Sequence, residues 1–122
     1  MALGKKVSGG VYKKFRKKRL CERKGKTRNV KLNEIKKKRL RVLGGNTKVV
    51  LLSSNIANVL DKKTGKIVKA KILNVIETPS NRYLARSNIM TKGTIIETEI
   101  GNAKITNRPG QEGQIQAILL TK

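Results

Sequence analysis

The chain has 122 residues, 30 Lys plus Arg against 7 Asp plus Glu and no His, for a formal charge of +23. That length supports one domain of ordinary size, and so large a self-repulsion calls for a polyanionic partner, either nucleic acid or an acidic membrane. A lone cysteine, Cys21, without any histidine excludes an internal disulfide framework and a zinc site, and apolar runs of about four residues fall far short of the ~20 that span a bilayer.

Charge is concentrated at the front. Residues 1–48 hold 19 basic and 2 acidic residues, net +17, and residues 49–122 hold 11 basic and 5 acidic, net +6. Between Lys5 and Arg41 the apolar residues are too sparse to offset the entropy of ordering the backbone, so this stretch reads as a basic arm that is disordered alone. The expected organisation is an extension over residues 1–45 and a folded part over 46–122. The start, Met1-Ala2-Leu3-Gly4-Lys5-Lys6, lacks the apolar stretch of a signal peptide, and the expectation is a soluble cytoplasmic chain.

From Thr47 the sequence is rich in Val, Ile and Thr and is broken at short intervals by turn residues, which is a pattern of strands. Thr47 to Val59 is the first long strand candidate, and Ser53, Ser54, Asn55 and Asn58 suggest a bend or an edge in its later part. Asp61-Lys62-Lys63-Thr64-Gly65-Lys66 predicts a hairpin, with Gly65 supplying the positive φ. From Ile67 onward Val68, Ala70, Ile72 and Ile76 are expected on one face, with Lys69 and Lys71 on the other. Pro79 ends that strand, and Arg82 to Met90 is either a helical turn or an irregular crossing. Turns are predicted at Lys92-Gly93 and Gly101-Asn102, short strands at Thr94 to Ile100, Ala103 to Thr106 and Ile115 to Leu120, and a loop over Arg108 to Gly113. Short turns and few apolar side chains point to a mainly β fold, a small antiparallel barrel-like domain that removes its own edges.

The motifs of catalysis are missing. Gly25-Lys26-Thr27 ends like a phosphate loop, but Leu20 stands where that motif needs glycine and no strand precedes it. Glu97 and Glu99, the closest acidic pair, belong to the solvent face of a strand, and Cys21 has neither base nor resolving thiol, so no enzyme activity, cofactor or metal is expected. The basic clusters carry the information: Lys13-Lys14, Arg16-Lys17-Lys18-Arg19, Arg23-Lys24 and Lys36-Lys37-Lys38-Arg39. No sustained apolar stripe faces a lipid and no helix is placed for a DNA groove, which favours RNA. With only Tyr12, Phe15 and Tyr83 as aromatics, base stacking is a poor readout, and contacts to phosphate and sugar are expected.

Several segments stand along the chain as an ordered series of motifs. They are Lys5-Lys6-Val7-Ser8-Gly9-Gly10, then Arg16-Lys17-Lys18-Arg19 with Glu22, and Arg41-Val42-Leu43-Gly44-Gly45-Asn46-Thr47-Lys48. Further on come Ala57-Asn58-Val59 with Thr64-Gly65-Lys66, Thr91-Lys92-Gly93-Thr94-Ile95-Ile96, and Thr106-Asn107-Arg108-Pro109-Gly110-Gln111-Glu112-Gly113. In this order and spacing the segments resemble the S8e family of archaeal and eukaryotic small-subunit ribosomal proteins. The resemblance covers nearly the whole chain, whose short length is similar to that of archaeal members. It implies a six-stranded barrel-like domain with an arm threaded into small-subunit ribosomal RNA, beside neighbouring ribosomal proteins and as a monomer within the ribosome. It implies no membrane and no small-molecule substrate. A related branch, assembly factors of the large subunit, is the alternative.

The residues expected to bind RNA are Lys5, Lys6, Ser8, Gly9, Gly10, Lys13, Lys14, Arg16, Lys17, Lys18, Arg19, Arg23, Lys24, Lys26, Arg28, Lys36, Lys37, Lys38, Arg39, Arg41, Asn46 and Lys48 in the arm and its junction. Arg82, Arg86, Lys92 and Arg108 are expected to dock the barrel.

Overall fold

The computed structural model describes residues 4–13 and 16–120. Its strands form two groups. β4 (Ile56–Leu60), β5 (Ile67–Glu77), β7 (Ile95–Thr98), β8 (Gly101–Ile105) and β9 (Gln116–Leu119) close into a barrel. β1 (Val30–Lys31), β2 (Lys36–Arg41), β3 (Thr47–Ser53) and β6 (Ile89–Met90) form a second sheet in the order β2-β3-β1-β6. The mainly β, barrel-like expectation holds, but the barrel has five strands rather than six. Four of its pairings are antiparallel, and the closing pair is parallel, with Val59 opposite Ala117.

The barrel interior is narrow, and the residues that alternate inward are correspondingly small. Ala57 and Val59, Ala70 and Ile72, Ile96, Ala103 and Ile105, and Ala117 are all buried. Mixing alanine with branched residues fills a small barrel without a central void. β5 departs from simple alternation. Its register against β7 shifts between Ile72 and Asn74 and again between Val75 and Glu77, so the inward position passes to Val75 while Ile76 is 48% exposed. The extra residue of a bulge reverses the facing of every side chain beyond it. Val68, also expected inside, is 46% exposed.

The bend after β3 is where the chain leaves one sheet for the other. Ser54 is buried, and its hydroxyl donates to the Ile56 carbonyl at 3.0 Å and accepts from the Ile56 amide at 3.2 Å. The Asp61 to Lys66 hairpin forms as expected. Gly65 has φ 68°, its amide donates to the Asp61 carbonyl at 2.9 Å, and the Asp61 carboxylate accepts from the Lys63 amide and the Thr64 hydroxyl. At the next hairpin the turn is Glu99-Ile100, two residues earlier than Gly101-Asn102, because Gly101 already pairs with Thr98. The segment after Pro79 is a short helix, α1 (Arg82–Arg86), started by Asn81, whose side chain accepts from the Tyr83 amide at 3.0 Å.

Part of the stretch assigned to the extension is built into the fold. Val30 is 1% exposed and packs in one continuous core with Leu51, Met90 and the barrel interior. β1 pairs antiparallel with β6 and parallel with β3, and β2 pairs with β3 from Lys36 to Arg41. A run as basic as Lys-Lys-Lys-Arg-Leu-Arg enters a sheet because it is an edge strand, where its side chains stay in solvent and only the backbone is paired.

Candidate nucleic-acid interface

At the front of the chain, Lys5 bridges Val11 across a tight hairpin. The Gly9 amide donates to the Lys6 carbonyl at 2.9 Å, the Lys6 amide donates to the Gly10 carbonyl at 2.7 Å, and Gly9 has φ 82°. Glycine at that left-handed position completes a turn with Val7 and Ser8 at its tip. Lys6 lies over the Tyr12 ring, 5.7 Å from its centroid. Lys5, Lys6, Ser8, Gly9 and Gly10 thus share one small hairpin, with Lys13 exposed just beyond it, and Lys14 lies outside the described residues.

The next cluster is organised by its single acid. Arg16 grips Glu22 with two hydrogen bonds, Nη1 to Oε2 at 2.8 Å and Nη2 to Oε1 at 2.6 Å, and the Arg19 amide adds a third at 3.0 Å. The Arg16 bonds, and then that amide, hold the Glu22 carboxyl below its ordinary pKa, while the same pairing raises that of Arg16. This clasp closes a 3₁₀ turn over Leu20–Glu22. Lys17, Lys18, Arg19, Arg23, Lys24 and Lys26 surround it, all exposed. One guanidinium of the predicted set is therefore occupied within the chain, and its neighbours are displayed.

Lys36, Lys37, Lys38, Arg39 and Arg41 project from β2, on both faces of the edge strand. Across the groove between sheet and barrel, Lys37 is joined by Lys69 of β5. The sequence reading placed Lys69 on an outward strand face without assigning it to the interface. Its proximity to β2 depends on how the two sheets meet. At the junction, Gly44 and Gly45 both have φ 74°, and the Val42 amide donates to the Asn46 carbonyl at 2.7 Å. The Asn46 side chain donates to the Leu43 carbonyl at 3.4 Å, so Asn46 braces this loop.

The remaining expected residues divide. Arg82 and Arg86 lie exposed on α1, with Arg82 5.3 Å from the centroid of the Tyr83 ring. Lys92 and Arg108 line a cleft of about 360 Å³ together with Arg28. The loop over residues 108–113 that forms one wall is tightly held. Asn107 donates to the Glu112 carboxylate and the Gln114 carbonyl, both at 2.8 Å, and accepts from the Gln116 amide at 3.1 Å. The carbonyls of Pro109 and Glu112 accept from the Leu51 amide, and Lys48 donates to the Gln111 side chain at 2.7 Å. Lys48 is thereby a brace between β3 and this loop.

A closed five-stranded barrel with a strongly basic extension and displayed cations defines a class, the small cationic β-barrel proteins. Within that class the chain belongs to the family described as Ribosomal protein S8e, whose model matches residues 2–120. These are components of the ribosome rather than enzymes. The chain is 44% identical over 114 residues to small ribosomal subunit protein eS8 of Nanoarchaeum equitans, covering 93% of this chain and 90% of that relative. It is 46% identical over 119 residues to the protein of the same name from Methanococcus aeolicus, covering 97% and 93%. It is 40% identical over 116 residues to that of Methanosarcina barkeri, covering 95% and 93%. The family expected from the motifs is the family found.

Proposed function

We propose that this chain is a structural constituent of the small ribosomal subunit, located in cytoplasmic ribosomes, which binds and stabilises small-subunit ribosomal RNA through its arm and the adjoining barrel surface. Its neighbours are RNA and other ribosomal proteins, and it acts as a monomer there. The observation that carries this reading is the state of its charge. Among the described residues Arg16–Glu22 is the one ion pair, which leaves the other described cations without a carboxylate partner. Closely packed RNA helices repel one another, and displayed cations let them approach while released counterions offset the cost of ordering the arm. Arginines grip phosphates through two parallel hydrogen bonds and matter more per residue than lysines. The relatives' shared name, small ribosomal subunit protein, supports the particle and the subunit.

The test is sedimentation of a lysate before and after a high-salt wash. Stoichiometric retention in small subunits and polysomes is expected, and restriction to immature large-subunit particles would identify an assembly factor instead. In a purified binding assay, about 10 neutralised phosphates correspond to a slope of log affinity against log salt near −7 to −9, and a slope shallower than about −3 refutes the arm as a clamp.

A further inference from the structure

We propose that the cleft formed by Arg28, Lys92 and Arg108 is a phosphate clamp that takes one backbone phosphodiester of RNA where the arm joins the folded part. The inference rests on the RNA-binding reading and names the site and the chemical group within it.

Three cationic side chains remote in sequence line one cleft, with Ser80, Thr91 and Gln111 supplying polar groups between them. The hydroxyls form a chain. Ser80 Oγ and Thr91 Oγ1 are 3.2 Å apart, Thr91 Oγ1 and Thr94 Oγ1 are 3.2 Å apart, and the Thr91 amide donates to Thr94 Oγ1 at 3.0 Å. Ser80, at the exposed end of the chain, is available to donate to an anion. No carboxylate lines the cleft, and Glu112, in the same loop as Arg108, accepts from Asn107. Three positive charges around one concavity repel one another in the absence of an anion, and a tetrahedral phosphate with charge-assisted bonds relieves this.

The cleft is also preorganised. Gly110 packs so closely on Arg28 that a Cβ there would come within 3.2 Å of the Arg28 carbonyl oxygen, and Val30, two residues on, is locked in the core. Arg28 is held against the loop that bears Arg108. Met90 and Pro109, the apolar lining residues, are fully buried, and the polar groups of the lining are cationic, hydroxyl and amide. Such a site reads backbone phosphate and not base identity. Its position ties the direction of the arm to an RNA phosphate that the barrel holds at the same time.

The experiment uses the full chain, an RNA hairpin and inorganic phosphate. The cleft variant carries Arg28→Gln, Lys92→Gln and Arg108→Gln. A control removes equal charge from β2 with Lys36→Gln, Lys38→Gln and Arg39→Gln. The expected result is an RNA affinity about tenfold or more lower for the cleft variant than for the control, irrespective of RNA sequence, with the salt slope shallower by about one. Amide shifts of Thr91, Lys92, Gly110 and Gln111 should saturate with inorganic phosphate in the parent chain and not in the cleft variant. Equal losses in the two variants, with unchanged circular dichroism, overturn the clamp while leaving RNA binding intact. So does an equal response of these amides to polyglutamate, which would mark the site as one for acidic protein. Loss of all salt-dependent RNA binding by the parent chain would instead overturn the RNA reading itself.

Discussion

Val30 lies in a stretch whose composition is that of an RNA-ordered arm, yet its side chain is 1% exposed in the core shared by both sheets. Val30→Ala removes two methyl-sized groups, worth about 0.8 kcal/mol each in transfer, and the cavity left behind adds to this, for a total of about 2 kcal/mol. Against a domain stability of roughly 5–15 kcal/mol that is a large fraction, corresponding to a melting temperature lower by roughly 8 to 16 °C. Urea unfolding followed by far-ultraviolet circular dichroism measures it directly. Val7, in the same basic stretch, is fully exposed at the hairpin tip, and Val7→Ala should stay within about 0.5 kcal/mol of the parent. Equal small effects at both positions would refute the packing of Val30 in the core shared by the two sheets. A loss confined to Val30 would show that the fold begins well before residue 46.

The Glu22 carboxyl is held below its ordinary pKa by Arg16, so the clasp is complete above the usual glutamate range and is lost as pH falls through the depressed value. The Arg19 amide shift should titrate with a midpoint below that of an ordinary glutamate, and a midpoint at or above it refutes the pairing. Asp61 behaves in the same sense, because the Lys63 amide and Thr64 hydroxyl favour its ionised form, and the Lys63 amide shift reports it. Gly65→Ala, at φ 68°, should cost about 1 kcal/mol in urea unfolding and Gly65→Asn less, since asparagine tolerates the left-handed region. A stabilising Gly65→Ala would refute the turn assignment.

Much of this was legible in the residues. The charge imbalance, the strand-rich second half, the Gly65 hairpin and the motif series up to the Asn107 to Gly113 loop all depend on local pattern, since backbone propensity and charge act over a few residues. Other features were not. The bulge that turns Val75 inward and Ile76 outward depends on a register against β7 that no period-2 reading contains. Lys36 to Arg41 looked like arm because a charged edge strand and a solvated extension share one composition. They differ only in whether a partner, here β3, is present to pair with the backbone.

By itself the sequence determined the class of partner, through +23 charges that only a polyanion sustains, and the family, through segments whose order and spacing are preserved in one dimension. Tertiary structure decided the parallel closure of the barrel, the entry of Val30 into its core and the pairing of Lys36 to Arg41 with β3, and the meeting of Arg28, Lys92 and Arg108 around one cleft. These are contacts between residues far apart in the chain. Their free energy comes from apolar surface buried jointly by both sheets, a quantity that no local stretch of sequence carries.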